Sequence, residues 1–532
     1  MKRIAIYDTT LRDGTQGEGI SFSGTGKLRV AERLDAFGVD YIEGGYAASN
    51  PKDMAFFRDV KKLNLKHAKI AAFGSTRRAN VPVGEDPGVL AMMEADTPVV
   101  TFFGKSWKLH IRDVLRTTPE ENLKMIADTV RFFKERGKEV IYDAEHFFDG
   151  YKDDPDYAEE TLRVAAAAGA DLVVPCDTNG GTLPNEVYEI VAGLTASFHT
   201  AIGIHAHNDS ELGVANSIEA VRAGALHVQG TINGFGERCG NANLTSIIPN
   251  LLLKMNCLCL KDGRESVKQL RDVSNFVNEL ANQRAWTKAP FVGDSAFAHK
   301  AGMHVDGVRK NPESFEHLDP AEVGNKRRIL ISELSGASNV FLKAVEMNLQ
   351  VDKSSPEVRE ILRELERLEK EGYEFEAAEA SFKLLIQKVL KAHRSFFDME
   401  GFRVIVEKNG ETEDCRSEAT VKIRVNDEVE HTVAEGDGPV NALDGALRRA
   451  LTRFYPQIAD VFLTDYRVRI LDPEEHTAAK TRVLIESSDG KENWSTVGVS
   501  ENLIEASWEA LVDSVEYKMF LEEQAGNGTP KA

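Results

Sequence analysis

The first 235 residues alternate between short apolar, β-branched runs and longer stretches in which apolar residues recur with helical spacing. This alternation predicts strands that are each followed by an amphipathic helix. The predicted strands are Ile4 to Tyr7, Val39 to Glu43, Lys69 to Phe73, Pro98 to Phe103, Val140 to Asp143, Leu172 to Pro175, Ala201 to His205 and His227 to Thr231. Eight such units predict an α/β fold, a (β/α)8 TIM barrel. A doubly wound open sheet is the rival, which the count of eight and the lack of an early GxGxxG disfavour.

Three stretches show the helical pattern most clearly. Their apolar residues are Leu28, Ala31, Leu34 and Phe37; Val187, Ile190, Val191 and Leu194; and Val358, Ile361, Leu362, Leu365 and Leu368. Gly38 and Gly372 are the predicted stops of the first and third helices. Charged helices dominate from about Lys261 to Lys391, which predicts a helical region that packs on the barrel or on another subunit.

Strict alternation returns beyond Met399 and predicts a C-terminal α+β domain. Val421, Ile423 and Val425 alternate with polar residues, as do Tyr466, Val468 and Ile470. This domain is internally duplicated: Thr432-Val433, Ala442, Ala446 and Leu447 recur 64 residues later as Thr496-Val497, Ala506, Ala510 and Leu511. Each copy reads as strands that lead into one helix. Effector binding, dimerisation and duplication without a ligand all remain open from the pattern alone.

The predicted domains are therefore a barrel over residues 1–265, helical linker subdomains over 266–395 that contribute to the active site, and a regulatory or dimerisation domain over 396–525. A chain of 532 residues is long enough for several domains. The 65 basic and 85 acidic residues give a net charge of −20, which disfavours nucleic acid and anionic membranes as partners. Five cysteines without a CxxC pair, and no apolar run of membrane-spanning length, predict a soluble cytoplasmic protein.

Polar residues cluster directly after the predicted strands, where the active site of such a barrel lies. His205 and His207 are two apart at the end of the seventh strand, so both imidazoles point to one side. Asp13 follows the first strand, which lies beside the eighth when the barrel closes. Two histidines and a carboxylate predict a metal site, and Asn241 is a candidate further oxygen ligand. The rival interpretation is a strand-end histidine pair that bonds only to backbone and solvent.

Arg12 is predicted to stabilise charge that develops on a carbonyl oxygen, or to pair with Glu43 or Glu145, and both can hold together. Thr178 follows the sixth strand in a glycine-rich loop and is a candidate to hold a substrate carboxylate, although capping of a turn is the commoner role. Phe102, Phe103 and Tyr142 near strand ends are candidates for either the pocket or the core. Cys239 is interpreted as structural.

A further polar cluster surrounds His304 and Asp306 in the segment AFAHKAGMHVDG. These two residues form a candidate orienting pair of the kind that a general acid or base requires. The neighbouring glycines indicate a loop that approaches another group closely.

Three motifs together resemble those of a family of metal-dependent TIM-barrel acyltransferases and lyases: DTTLRDGTQ from Asp8, HAHND from His205 and GERCGNANL from Gly236. AFAHKAGMH and GDGPVNALDGAL resemble the branch that contains the 2-isopropylmalate, citramalate and homocitrate synthases. The stretches YDAEHFFDGY, CDTNGGT and QGTINGFGERCGNANL are most similar to citramalate synthases. The resemblance implies condensation of acetyl-CoA with pyruvate and water to give citramalate and CoA. The alternative acceptor is 2-oxoisovalerate, as in leucine biosynthesis.

The resemblance also implies roles for individual residues. Metal binding falls to Asp13, His205 and His207, with Asn241 near the metal. Arg12 contacts the acceptor's carbonyl and Thr178 contacts its carboxylate. Glu145 is an acid of the catalytic site, and His304 is the candidate base, for which the residues themselves suggest orientation by Asp306. The implied metal is Mg or Mn, while two imidazoles also suit Zn or Co. A homodimer, and isoleucine as the effector at the C-terminal domain, are implied as well. This chain has Phe315 at a position where relatives often carry Tyr. Any role that the tyrosine hydroxyl plays in those relatives must here fall to another group, such as His317.

Overall fold

A computed structural model describes residues 1–48, 51–330, 355–390, 395–408, 410, 414–471 and 479–527. Its first eight strands form a closed barrel in sequential order. They are β1 Ala5–Asp8, β2 Tyr41–Tyr46, β3 Lys69–Ser75, β4 Val99–Lys105, β5 Glu139–Glu145, β6 Leu172–Asp177, β7 Ala201–Ala206 and β8 His227–Gly230. The eight predicted strands are confirmed. Most observed strands extend beyond their predicted ends, because polar residues at the barrel mouth continue the ladder that the apolar runs begin.

The barrel closes between its first and last strands. β1 pairs in parallel with β2 on one side and with β8 on the other, where Ala5 lies opposite His227 and Asp8 opposite Gly230. Every pair of neighbouring barrel strands is parallel. The carboxyl ends of all eight strands therefore meet at one mouth, which collects the loops that follow them.

The helices of the described chain begin and end as follows: α1 Gly24–Phe37, α2 Pro51–Val60, α3 Pro87–Ala95, α4 Lys108–His110, α5 Pro119–Lys134, α6 Phe147–Asp153, α7 Pro155–Ala167, α8 Pro184–Ser197, α9 Gly213–Ala223, α10 Leu244–Pro249, α11 Arg264–Val267, α12 Leu270–Leu280, α13 Gly302–Lys310, α14 Pro356–Glu371, α15 Glu379–Val389, α16 Pro439–Thr452 and α17 Leu503–Asn527. The three helices predicted from apolar spacing are α1, α8 and α14. Gly38 and Gly372 end α1 and α14 in the left-handed conformation, with φ of 95° and 110°. Both predicted stops are therefore confirmed.

The chain divides into two compact units. The first contains residues 1–297 and 317–327, and the second contains 298–316 and the described residues from 328 onward. Thus α11 and α12 belong with the barrel, whereas α14 and α15 belong with the C-terminal sheets. The predicted boundaries at 265 and 395 do not coincide with this division. Of the predicted linker region, residues 331–354 and 391–394 lie outside the described residues.

The second unit contains a two-stranded pair, β9 Ala298–His299 with β10 Arg328–Ile329, and two three-stranded antiparallel sheets. The sheets consist of β11 Asp398–Glu407, β12 Arg416–Val425 and β13 Glu428–Gly436, and of β14 Phe462–Ile470, β15 Thr481–Ser488 and β16 Asn493–Ser500. One helix follows each sheet, α16 after the first and α17 after the second. A shift of 64 residues aligns the two βββα copies in sequence, element by element.

The duplication extends to single hydrogen bonds. Thr432 donates its hydroxyl to the carbonyl of Ala446 at 2.8 Å, and Thr496 donates to Ala510 at 2.7 Å. In each copy this contact ties the last strand to the helix that follows it. The predicted duplication of a βα unit is therefore present, and each copy holds two further strands that the short match did not include.

The two predicted alternating patterns differ in what they face. Val421, Ile423 and Val425 of β12 are buried, as expected for an inner face. On β14, in contrast, Val468 and Ile470 are 46% and 56% exposed. Alternation identified both strands. The central strand β12 buries all three of its alternating apolar side chains, whereas of those on β14 only Tyr466 packs against the core.

Candidate active site

Asp13, His205 and His207 come together at the mouth of the barrel. Nε2 of His205 lies 3.6 Å and Nε2 of His207 lies 3.9 Å from Oδ2 of Asp13. All three side chains are buried, and their candidate ligand atoms lie within 4.8 Å of one another. The structure thus assembles the three residues that the sequence proposed as metal ligands.

Local structure explains why these side chains converge. His205 lies in β7, and His207 follows that strand directly, so the two-residue period directs both rings into the mouth. Asp13 lies in the loop after β1, where its backbone N–H donates to the Thr9 hydroxyl at 3.2 Å. Thr10 secures the same loop to the end of the barrel by accepting from the N–H of Ile232 at 2.9 Å. The adjacency of β1 and β8 therefore holds Asp13 beside the histidines.

Asn241 also reaches this site through the loop after β8. Its Nδ2 donates to the carbonyl of Phe235 at 3.0 Å, while its Oδ1 is buried without a hydrogen-bond partner among the described residues. Gly236 makes this approach possible, since a Cβ there would lie 2.3 Å from Nδ2 of Asn241. A buried amide oxygen without a donor costs free energy unless another group occupies it. This orphaned oxygen fits a bound cation at the site.

The electrostatics of the three candidate ligands also fit a cation. Burial, together with nearby His207, lowers the pKa of His205 to about 3, so its imidazole is neutral. Burial opposes ionisation of Asp13, but the charge of neighbouring Arg12 counteracts it, and the pKa of that carboxyl is lowered. Two neutral imidazoles and one carboxylate are a common ligand set for divalent metals. The residues at this mouth form a metal-binding site.

Arg12 is held against Glu43. Its Nε donates to Oε2 of Glu43 at 2.5 Å, and Nη1 lies 3.4 Å from Asp13. Glu43 is fully buried and also accepts from the hydroxyls of Tyr7 at 2.6 Å and Thr9 at 2.5 Å. Burial opposes the charge on Arg12, but Glu43 and Asp13 outweigh it and raise the pKa of the guanidinium. Arg12 is therefore a permanently charged group at the edge of the metal site.

Thr178 is held from two sides. Its hydroxyl accepts from the backbone N–H of His146 at 2.9 Å, and its carbonyl accepts from Arg238 at 2.8 Å. His146 has a φ of 54°, an uncommon conformation for a residue other than glycine. Arg238 is fixed in turn by two contacts with Asp209, at 2.7 and 3.0 Å. Because the Thr178 hydroxyl already accepts a hydrogen bond, its own proton is available for an acceptor in the mouth.

These side chains surround a cavity of about 290 Å³. Its lining includes Arg12, Asp13, Gln16, Tyr46, Phe73, Phe103, Asp143, Glu145, Cys176, Thr178, His205 and His207. Glu145 forms a short ion pair with Lys105. Of the three aromatic residues left open by the sequence, Phe103 lines the cavity, whereas Phe102 and Tyr142 are fully buried core residues.

Three residues of this site, Lys105, Asp143 and Gln229, were not predicted from the sequence. Asp143 precedes Glu145 by two positions on β5, so the strand period places both on the inner face. Burial, reinforced by Glu43, raises the pKa of Asp143 well above its usual value. Gln229 is the third of the four residues of β8 and carries no charge, so only its neighbours in the closed barrel reveal its contacts. The two-residue strand period was the signal that could have found Asp143.

His304 and Asp306 lie on α13 in the second unit. His304 is exposed and stacks on Phe315, with ring centroids 4.4 Å apart. Asp306 forms an ion pair with Lys310 at 2.6 Å, one helical turn away. The segment is a helix rather than the expected loop, and residues two apart on a helix do not face each other. The helix therefore gives no support to the predicted orientation of His304 by Asp306.

His317, the suggested substitute for a phenol, belongs to the first unit. Its ring packs against Phe291 and Phe297, with centroid separations of 5.4 and 6.1 Å. Phe315 is 43% exposed in the second unit. The role of His317 as a substitute stays a prediction.

The fold and the site define a class of protein, a TIM-barrel enzyme with a metal site at the mouth. Three family models match the chain in sequence: the HMGL-like model over residues 3–277, a homocitrate synthase post-HMGL domain-like model over 291–372, and the LeuA allosteric (dimerisation) domain over 376–519.

Comparison with curated proteins narrows the class. The chain is 53% identical over 524 residues to (R)-citramalate synthase of Geobacter sulfurreducens, covering 98% of this chain and 99% of that one. It is 54% identical over 526 residues to (R)-citramalate synthase of Aquifex aeolicus, covering 99% of each. A 2-isopropylmalate synthase of Methanocaldococcus jannaschii is 30% identical over 522 residues, covering 96% and 94%. The chain belongs to the (R)-citramalate synthase family.

The chain is therefore an acyltransferase, an enzyme that condenses acetyl-CoA with a 2-oxo acid. Within the described part of the chain, the helices are too short or too polar to span a membrane.

Proposed function

We propose that this enzyme condenses acetyl-CoA with pyruvate and water to form (R)-citramalate and CoA, as a step toward isoleucine in the cytoplasm. Sequence identity carries the choice of pyruvate as the acceptor. The chain is 44% to 54% identical to five (R)-citramalate synthases, whereas it is 30% identical to two 2-isopropylmalate synthases. Residues 1–265 are proposed to carry out catalysis, and residues 266–395 are proposed to contribute to the active site. Residues 396–525 are proposed to regulate the enzyme.

The acceptor binds in the cavity at the barrel mouth. The Thr178 hydroxyl donates to the carboxylate of pyruvate, and Arg12 faces the oxygen on which negative charge develops. Phe73 and Phe103 line the same cavity and present apolar surface to the methyl group. A pocket bounded by aromatic rings discriminates against a branched acceptor by about 1 to 3 kcal/mol.

Asp13, His205 and His207 hold a divalent cation, with Asn241 as a further oxygen donor. Mg²⁺ or Mn²⁺ is proposed from the resemblance to the family, while Zn²⁺ or Co²⁺ would also suit two imidazoles. When bound, the cation supplies Lewis-acid polarisation of the acceptor's ketone. Arg12 supplies a second positive charge at the same oxygen.

Acetyl-CoA supplies the nucleophile. A base removes a proton from its methyl group, the resulting carbon attacks C2 of pyruvate, and the new alkoxide takes up a proton. Water then cleaves the thioester and releases CoA as a free thiol. His304 is the proposed base, with Asp306 as its charged neighbour on α13. Glu145 is a further proposed acid of the catalytic site, and its ion pair with Lys105 holds it at the barrel mouth.

A second cavity of the first unit, of about 370 Å³, is a proposed route for the nucleotide end of CoA. It is lined by Arg271 and Arg284, by several amides, and by Trp286, which is 64% exposed. Phe235 belongs to this lining and also accepts from Asn241 at the metal site. Guanidinium groups suit phosphates, and an exposed indole suits stacking on adenine.

A homodimer and inhibition by isoleucine are proposed for the second unit. The matched LeuA allosteric (dimerisation) domain supports a dimer and an allosteric effector. Isoleucine is proposed as that effector because it is the end product of the proposed pathway. Val468 and Ile470 on β14, together with Val429 and Val433 on β13, present apolar side chains that are 42% to 56% exposed. If isoleucine binds here, it should slow CoA release by the full chain and protect backbone amides of residues 398–527 from hydrogen exchange. Protection confined to the barrel would place the effector elsewhere.

The experiment that tests the activity is release of CoA thiol from acetyl-CoA with Mg²⁺ or Mn²⁺ across four acceptors: pyruvate, 2-oxobutyrate, 2-oxoisovalerate and 2-oxoglutarate. The expected result is a clear preference in kcat/KM for pyruvate. A preference for 2-oxoisovalerate would keep the mechanism and make the enzyme a 2-isopropylmalate synthase. Chiral chromatography of the product then checks the R configuration.

A further inference from the structure

A chain of two hydrogen bonds crosses the barrel interior and ends on His205. Nδ1 of His205 lies 3.0 Å from Oε1 of Gln229 on β8, and Nε2 of Gln229 donates to Oδ1 of Asp143 on β5 at 3.0 Å. Gln229 is fully buried, and Asp143 and His205 are nearly so. These contacts link three strands of the barrel directly behind the metal site.

The direction of the hydrogen bonds determines the tautomer of His205. A carboxamide has one face that accepts and one that donates. Because the amide nitrogen of Gln229 is directed at the carboxyl of Asp143, its oxygen faces His205 and accepts from Nδ1–H. The proton of the neutral imidazole then lies on Nδ1, and the lone pair of Nε2 points toward Asp13, 3.6 Å away.

His207 offers an internal contrast. Its Nε2 also faces Asp13, but its Nδ1 is buried without a hydrogen-bond partner among the described residues. A hydrogen bond from the Nδ1 side therefore orients the ring of His205, whereas the ring of His207 is oriented by its position directly after β7. Partners of this kind commonly change metal affinity by about 10- to 100-fold.

We propose that Gln229 is a positioning residue of the metal site: anchored by Asp143, its amide oxygen holds His205 in the Nδ1–H tautomer, with Nε2 free to bind the cation. This inference rests on the metal site of the proposed function.

The test uses the full-length metal-free protein and Mn²⁺, with free Mn²⁺ measured by electron paramagnetic resonance. Gln229→Met keeps the volume of the side chain and removes its acceptor, so the Kd for Mn²⁺ should rise about 10- to 100-fold. Gln229→Glu keeps an acceptor for Nδ1–H, and a proton shared between the new carboxyl and Asp143 replaces the amide's bond to Asp143. This variant should return the Kd to within about threefold of the parent. Thr101→Val is the matched control, because Thr101 is buried in the same interior but contacts Tyr7 rather than His205.

A second measurement separates positioning from general damage to the barrel. In ¹⁵N-histidine spectra of the metal-free protein, the parent and Gln229→Glu should show His205 as the Nδ1–H tautomer, and Gln229→Met should show a mixture of tautomers. A His205→Gln variant assigns the signal. Unchanged Mn²⁺ affinity and tautomer in Gln229→Met would overturn this inference alone. Failure of the parent to bind Mn²⁺ would overturn the metal site itself, and this inference with it.

Discussion

Arg12 and Glu43 form a buried ion pair at the mouth of the barrel, with Nε of the arginine 2.5 Å from Oε2 of the glutamate. The ring of Phe73 lies 3.7 Å from the guanidinium carbon and limits its movement from the other side. The hydroxyls of Tyr7 and Thr9 also donate to Glu43, so the carboxylate is itself fixed. Arg12 therefore faces the substrate cavity in one defined position rather than as a flexible surface cation.

Glu43→Gln tests whether this position matters for catalysis. The amide keeps the size of the side chain but removes the charge that holds Arg12, so we expect kcat/KM for pyruvate to fall about 10- to 100-fold. Steady-state CoA release measures it. Glu121→Gln is the control, since Glu121 pairs with Arg77 away from the cavity at 2.7 Å. Equal kinetics of the parent and Glu43→Gln would show that Arg12 needs no such support.

Removal of the metal should abolish turnover. After dialysis against a chelator, CoA release should stop, and Mg²⁺ or Mn²⁺ should restore it, because Asp13, His205 and His207 are proposed to hold the Lewis acid. Asp13→Asn should weaken Mn²⁺ binding by at least about 100-fold in an equilibrium titration. Circular dichroism of the chelated protein controls for unfolding. Full activity after chelation would contradict the metal hypothesis.

Thr178→Val tests the proposed carboxylate contact. The substitution keeps the shape and removes the hydroxyl, so KM for pyruvate should rise about tenfold while KM for acetyl-CoA stays unchanged. Thr182→Val is a matched control from the same loop: its hydroxyl donates to Asp177 at 2.8 Å and not toward the cavity. That variant should lower thermal stability and leave KM for pyruvate at the parent value. A raised KM in both variants would assign the effect to the loop as a whole.

Arg284→Ala tests the proposed route for CoA. Loss of a cation beside the nucleotide should raise KM for acetyl-CoA about 5- to 20-fold, with little change in KM for pyruvate. The difference from the parent should shrink at high ionic strength, because the site is exposed to solvent. Arg264→Ala removes an exposed arginine outside this cavity and serves as the control. No change in either KM would remove Arg284 from substrate binding.

His304→Ala tests the proposed base. Turnover should fall by at least about 100-fold, while binding of Mn²⁺ and pyruvate to the barrel should persist. Asp306→Asn is the informative companion, since the helix sets Asp306 toward Lys310 rather than toward His304. We expect that variant to lose far less activity. Near-normal turnover of His304→Ala would exclude it from the mechanism.

The sequence was sufficient for the barrel and for the three metal-site residues. Apolar runs determine strands through burial, and the two-residue period alone directs His205 and His207 to one side. The sequence did not predict that Gln229 and Lys105 belong to the site, because their contacts depend on which strands become neighbours when the barrel closes. The glycines near His304 and Asp306 indicated a loop, whereas they lie inside α13. The catalytic roles of these two residues stay predictions.

The closure of the barrel also sets an order of events during synthesis of the chain. β1 cannot complete its pairing until β8 has left the ribosome, since Ala5 lies opposite His227. In the C-terminal sheets, paired residues are close in sequence; Asp398 lies opposite Arg424 and Phe462 opposite Ser488. Local pairing forms quickly and closure over long separations forms slowly. The slow phase of refolding therefore belongs to the barrel, and β1 is the strand whose open edge needs protection while the chain is being made.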